Sequence, residues 1–280
     1  MRTAQLHNSA ANLAIYNRAE TVSYYAALEY LTPCERLLFE TYIKPGMRIL
    51  DLGVGGGRTT PYLAGLASRY VGVDYAEEMV RVCRNKFPGV EFVRADAADL
   101  SGFDNNSFDA VVMAFNALDY VVPDGDRLRC LAEVSRVLRS KGVFIFSSHN
   151  PRAILARPAW DRDRLRTFTR RLANPDSPLF RLTLPFLTAL KTVQASLRAA
   201  STSAMRVIRR IPTAAFWRGE GYLLDPAHGG LLTHVWVPKC AITELGRFGF
   251  RVARVMPHDY PQAASRFLTD WYYYVFQTEP

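Results

Sequence analysis

Residues 49–60 constrain the chain more than any other stretch. They read Ile-Leu-Asp-Leu-Gly-Val-Gly-Gly-Gly-Arg-Thr-Thr: an apolar strand, a glycine turn and a helix start. Gly53, Gly55 and Gly57 remove side chains where the backbone turns sharply and where a ligand approaches main-chain N–H groups. Asp51, one residue inside the strand end, sets a carboxylate beside that ligand. A second apolar strand, Tyr70-Val71-Gly72-Val73, then stops at Asp74. An acid at that place in a doubly wound sheet grips ribose hydroxyls.

The alternation continues. A helix over 76–86 carries acids in its first turn and bases in its last, and Pro88-Gly89 ends it. A strand over 90–94 closes in Ala95-Asp96-Ala97, and the continuous apolar run 110–115 suits a central parallel strand. That run ends at Asn116, with Asp119 and Tyr120 just beyond. A helix over 126–138 and a turn at 140–142 lead to a strand over 143–148 that finishes at His149-Asn150. Five strand ends therefore carry Asp51, Asp74, Asp96, Asn116 and His149. Ligands of open parallel sheets bind outside those carboxyl ends.

The loop is G-x-G-x-G, with Arg58 where a dinucleotide fingerprint needs glycine, which disfavours a nicotinamide dehydrogenase. The stretch resembles motif I of the class I S-adenosylmethionine methyltransferases, whose usual loop is Gly-Cys-Gly-Thr-Gly. Val54 and Gly56 depart from it at two places expected to be tolerant. The resemblance is strong over 35–150 and weaker over 238–276, where a helix and two closing strands match the end of that fold. It implies a Rossmann-like α/β sandwich with a seven-stranded, mostly parallel sheet containing one antiparallel strand. It also implies S-adenosylmethionine as methyl donor, released as S-adenosylhomocysteine. Asp74 and Tyr75 would meet the ribose region, Asp96 and Ala97 the adenine, and Asp51, Gly53, Gly55 and Gly57 the amino-acid end. Asn116 would line the methionine arm.

The expected organisation is an N-terminal helical cap (1–44), a cofactor-binding core (45–150), a basic helical insertion (151–230) and a C-terminal completion of the sheet (231–280). Within the cap, 13–30 reads as one amphipathic helix, and Thr32-Pro33-Cys34-Glu35 is a capping box that starts the next. The net charge of +9 is concentrated: 151–218 holds 14 Arg and Lys against 3 Asp, which leaves the remaining chain near −2. That segment reads as a lid with a solvated cationic face, as a contact for an anionic membrane surface or lipid-like acceptor, or, least favoured, as a nucleic-acid contact. Cys34, Cys83, Cys130 and Cys240 are widely spaced and the histidines lack metal spacing, so neither a disulfide framework nor a metal site is expected. With no signal-peptide pattern and no run of about 18 apolar residues, a cytoplasmic protein is expected, peripheral to a membrane if the basic segment binds one.

Methyl transfer from a sulfonium needs an in-line nucleophile and, where that nucleophile carries a proton, a base. His149 is the candidate base. Tyr16, Tyr24, Asp119, Tyr120 and Asn150 are the candidate acceptor contacts. The chain lacks Asn-Pro-Pro-Tyr after the fourth strand and a Pro-Cys nucleophile, features of enzymes that methylate nucleobases or protein amides. A small molecule accepting at oxygen or nitrogen is the expected substrate: a sugar, phenol, polyketide or other secondary metabolite. A lipid-linked acceptor docked by the basic segment, and a non-catalytic S-adenosylmethionine-binding module, are the alternatives.

Overall fold

The computed structural model describes residues 12–152, 215, 218–225, 231–261 and 269–279. Their elements, in chain order, begin with α1 (Ala19–Ala26), α2 (Pro33–Tyr42), β1 (Arg48–Leu52), α3 (Thr60–Leu66), β2 (Arg69–Asp74), α4 (Glu77–Lys86) and β3 (Glu91–Arg94). Then come β4 (Phe108–Met113), a 3-10 turn (Ala117–Tyr120), α5 (Asp124–Val137) and β5 (Leu138–His149). The chain closes with β6 (Glu220–Asp225), β7 (Leu231–Trp236), α6 (Pro238–Gly246), β8 (Phe250–Pro257) and β9 (Trp271–Thr278).

Seven strands form one sheet in the order β3-β2-β1-β4-β5-β9-β8. β1 through β5 pair in parallel, and β9 runs antiparallel to both neighbours. The period-two alternation of the strands divides the core between the two faces of the sheet. Leu50, Val71, Val111 and Phe144 pack with Leu131 and Val134 of α5 and Leu245 of α6. Ile49, Ala110, Val112 and Val143 pack with Leu38 and Phe39 of α2, Leu63 of α3 and Val80 of α4. Strand order reverses between β1 and β4, so a crevice opens above their carboxyl ends, where ligands of such sheets lie.

Three expectations change. The helix read over 13–30 is broken at Asn17-Arg18 and resumes as α1. Asn17 Oδ1 accepts the Glu78 N–H at 3.2 Å, docking the break on the first turn of α4. The turn read at 140–142 is a bulge inside β5: Phe108 pairs with Leu138 but Ala110 with Val143, and Lys141 takes a φ of +60°. The helical reading of 151–230 fails at its end. Glu220–Asp225 pairs instead with Leu231–Trp236 in a separate antiparallel hairpin; residues 153–214 lie outside the described residues. Side chains tie the hairpin down. Arg127 of α5, 2% exposed, reaches Glu244 at 2.9 Å, Asp124 at 3.1 Å and Glu220 at 3.8 Å, and lies over the Trp236 ring.

The capping box is present: Glu35 N–H donates to Thr32 Oγ1 at 3.1 Å, and Thr32 N–H donates to Glu35 Oε2 at 2.8 Å. No helix among the described residues is long and apolar enough to cross a membrane.

Candidate functional site

A cleft, partly open to solvent, lies over the carboxyl ends of β1, β2 and β4. Its floor is the glycine loop. Gly53 has a φ of +67°, and a Cβ there would stand 2.7 Å from the Ala117 Cβ, so the loop and the turn after β4 touch only because glycine is present.

Asp74 closes β2 and stands on the cleft wall. Its Oδ2 accepts the Gly55 N–H and its Oδ1 the Ala76 N–H, both at 2.9 Å. The Tyr75 N–H also acts on this carboxylate, so at most one of its four lone-pair positions is left for a ligand hydroxyl. Burial raises its pKa to about 6 against those backbone hydrogen bonds. Asp51, 1% exposed, also lines the cleft. Its Oδ2 accepts from Thr59 Oγ1 at 2.5 Å and Tyr70 OH at 2.8 Å, and burial raises its pKa to about 6 as well. Tyr75, Asp96 and Ala97 complete this wall. Asp96 accepts the Ala98 N–H at 2.9 Å, a turn that presents its exposed carboxylate.

The N-terminal cap roofs the cleft. Tyr16 sits between Tyr25, Tyr75 and Tyr120 at ring-centroid separations of 5.9, 6.1 and 6.0 Å, and all four line the cleft. Burial raises the Tyr16 phenol well above its ordinary value. The roof rests on Gly56, whose added Cβ would lie 2.4 Å from the Tyr25 carbonyl oxygen. That position is therefore not tolerant, contrary to the expectation from the loop alone, because α1 crosses it in main-chain contact. Lys86 Nζ ties the two together, donating to Ala26 O at 2.7 Å and Gly56 O at 3.3 Å.

Several expected contacts lie elsewhere. Tyr24 is 57% exposed and stacks edge-on against Tyr25. Tyr25 faces the cleft in its place, since the break at Asn17-Arg18 shifts the helical register. Gly57 is absent from the lining, and its added Cβ would strike the Phe87 ring at 2.3 Å. Asn150 donates to Thr269 O at 3.0 Å, and its backbone N–H to Asp270 O at 2.8 Å, fastening the end of β5 to the start of β9. Asn116, with a φ of +63°, turns away from the cleft lining toward β5. There its Nδ2 lies 3.3 Å from His149 Nε2.

His149, Asn116 and Asp119 thus form a group apart from the residues that line the cleft. Asp119 Oδ2 accepts the His149 backbone N–H at 2.8 Å and lies 2.7 Å from its Nδ1. The His149 side chain keeps 21% of its exposure and that of Asp119 1%. The Trp271 ring lies edge-on to His149 at 6.2 Å.

Arg58 is a lining residue that the sequence did not announce as one. It is buried, donates to Glu35 at 2.7 and 2.5 Å and to Tyr30 O at 2.8 Å, and lies over the Phe115 ring at 4.7 Å. A charged residue directly after the glycines, with a glutamate in the preceding helix, was the available signal. Among the described residues no cluster of side chains has the make-up of a metal site.

Comparison with known proteins finds methyltransferases. Residues 50–146 match the family model described as a methyltransferase domain. A demethylmenaquinone methyltransferase of Clavibacter sepedonicus is 39% identical over 120 residues, 41% of this chain and 47% of that protein. A fatty-acid O-methyltransferase of Mycolicibacterium smegmatis is 36% identical over 121 residues, 42% of each. The chain thus spans under half the length of these curated relatives. The crystal structure of the Burkholderia thailandensis 1,6-didemethyltoxoflavin-N1-methyltransferase, with its namesake compound and S-adenosylhomocysteine bound, superposes with a TM-score of 0.57. Identity is 14%, over 100% of this chain and 89% of that one, a likeness of fold.

Proposed function

We propose that this chain, which has the class I S-adenosylmethionine methyltransferase fold and a methyltransferase domain at 50–146, methylates a small-molecule acceptor at oxygen or nitrogen. The observation that carries the proposal is Asp74, a buried carboxylate ending β2 on the wall of the cleft above the glycine loop.

The residues present fit the donor. Asp74 offers an acceptor lone pair to a ribose hydroxyl, Asp96 and Ala97 border the place for the adenine, and Gly53, Gly55 and Asp51 surround the amino-acid end. When bound, the sulfonium supplies an electrophilic methyl carbon, whose bond to sulfur breaks, with its electron pair going to sulfur, as the acceptor atom bonds to carbon. The protein's tasks are then positioning, exclusion of water and removal of the acceptor's proton. The tyrosine roof excludes water, and His149 takes the proton.

A lipid-linked acceptor is the second reading. The relatives named for demethylmenaquinone and fatty acid favour it, as does the excess of arginine over 151–218. The test is incubation with S-adenosylmethionine carrying a trideuterated methyl, in cell extract divided into organic and aqueous fractions and read by mass spectrometry. Label in the aqueous fraction supports a soluble acceptor, and label in the organic fraction the lipid reading. Absence of label from both, with S-adenosylhomocysteine bound, leaves a non-catalytic binding module.

A further inference from the structure

We propose that Asn12 is a specificity-determining residue of the cleft, whose carbonyl Oδ1 accepts a hydrogen bond from an N–H or O–H group of the methyl acceptor. The inference rests on the methyltransferase reading and adds a requirement on its substrate: a hydrogen-bond donor on the side that meets the cap.

Residues 12–16 are helical and end at the break at Asn17-Arg18. Asn12 and Tyr16 stand one helical turn apart and share a face, and both border the cleft. Tyr16 also packs against Val22 and Met79, which seats the turn. The cap therefore brings a phenol and an amide to the cleft from a single turn of helix.

The Asn12 amide is anchored through its nitrogen. The 3-10 turn ends at Tyr120, and a carbonyl at a helix C-terminus has no partner within its own helix. Asn12 Nδ2 supplies one, donating to Tyr120 O at 3.1 Å. A carbonyl oxygen accepts and never donates, so this contact identifies the nitrogen and fixes which way the amide faces. Oδ1 is thereby turned from the Tyr120 carbonyl, and no donor among the described residues meets it.

Asn12 is 3% exposed. A buried carbonyl without a donor is costly, and the space that Asn12 borders is the cleft. The cost is relieved when a bound molecule brings an N–H or O–H to that place, and persists when the molecule presents an ether, a thioether or a hydrocarbon edge. Such a site discriminates more sharply than an apolar pocket, because the wrong ligand leaves a buried polar atom unpaired. The methyl donor is served from the other side. Asp51, Asp74 and Asp96 stand at the ends of β1, β2 and β3, whereas Asn12 is tied to the turn that follows β4.

The test uses the full chain and the extract fraction that takes up the trideuterated methyl. Asn12→Leu keeps the volume and removes both amide atoms. The amount of that fraction needed for half-maximal label should rise about tenfold, and the loss of label should shrink as more is added. Calorimetric affinity for S-adenosylhomocysteine should stay within about threefold. Asn12→Gln, which retains both amide atoms, should recover part of the loss. An Asn12 that only holds the cap to Tyr120 would lower the melting temperature and leave the half-saturating amount unchanged in both variants, which overturns the inference. A fall in S-adenosylhomocysteine affinity as large as the rise in the half-saturating amount also overturns it, because Oδ1 would then serve the methyl donor. In these outcomes label still appears and the methyltransferase reading stands. Wild-type protein that binds S-adenosylhomocysteine and labels nothing in any fraction overturns both.

Discussion

Along the carboxyl edge of β1 and β2, the groups facing the cleft come from one contiguous stretch, 49–75, and many are main-chain N–H groups and carboxylates. Along β4 and β5 three side chains outside the cleft lining, those of residues 116, 119 and 149, become a group only through each other. The first half is a cradle whose chemistry is set locally by glycine spacing and strand length. The second depends on strand pairing, on a left-handed asparagine and on one carboxylate that serves both the backbone and the ring of the same histidine. On the proposed reading the first arrangement serves the methyl donor and the second the acceptor.

If the halves are functionally separate, their variants must separate too. The largest effect is expected from Asp74→Ala. Loss of a ligand hydrogen bond to a charged group, worth about 1.5–3 kcal/mol, together with the Gly55 N–H bond that holds the loop, should weaken S-adenosylhomocysteine binding at least about 100-fold by calorimetry. A change below threefold would remove Asp74 from the cofactor half. His149→Gln should lower label transfer by roughly 100-fold with S-adenosylhomocysteine affinity unchanged. A loss of affinity as large as that of Asp74→Ala would dissolve the distinction between the halves.

Gly56→Ala sharpens the comparison from the side of the roof. Its Cβ has no room beside the Tyr25 carbonyl, so α1 must shift, at a cost of about 1–3 kcal/mol read as a lower melting temperature and weaker S-adenosylhomocysteine binding. An unchanged melting temperature would mean that the cap does not rest on the loop in solution. The smallest effect is on pH. With pKa values raised to about 6, Asp51 and Asp74 favour the ligand-free fold at low pH. That contribution is fully present below the unfolded carboxylate pKa near 3.9 and is lost as pH rises through about 6. A ligand hydroxyl donating to Asp74 favours its ionised form, so affinity should fall about tenfold from pH 7 to pH 5. Asp74→Asn should flatten that slope.

The sequence reading succeeded where the signal is short-ranged. Alternating apolar runs give the core strands, and the acid that ends β2 and the glycine loop are residues that line the cleft. It failed where a single residue changes register or partner. Asn17 breaks the cap helix and exchanges Tyr24 for Tyr25, a shift that no periodicity over 13–30 announces. The resemblance implies that Asn116 lines the methionine arm, but its left-handed backbone turns it to His149. The hairpin at 220–236 was hidden by the basic helical pattern before it. Nothing in the loop sequence marks Gly56 as irreplaceable, because the α1 backbone that covers it lies about 30 residues earlier in the chain.

The most direct test of the central claim, a cleft built for S-adenosylmethionine, is calorimetric titration of the wild-type protein with S-adenosylhomocysteine and, separately, with NADH. One saturable site for S-adenosylhomocysteine, lost in Asp74→Ala, with no heat from NADH, is the expected result. Binding of NADH in the absence of any S-adenosylhomocysteine binding would contradict it.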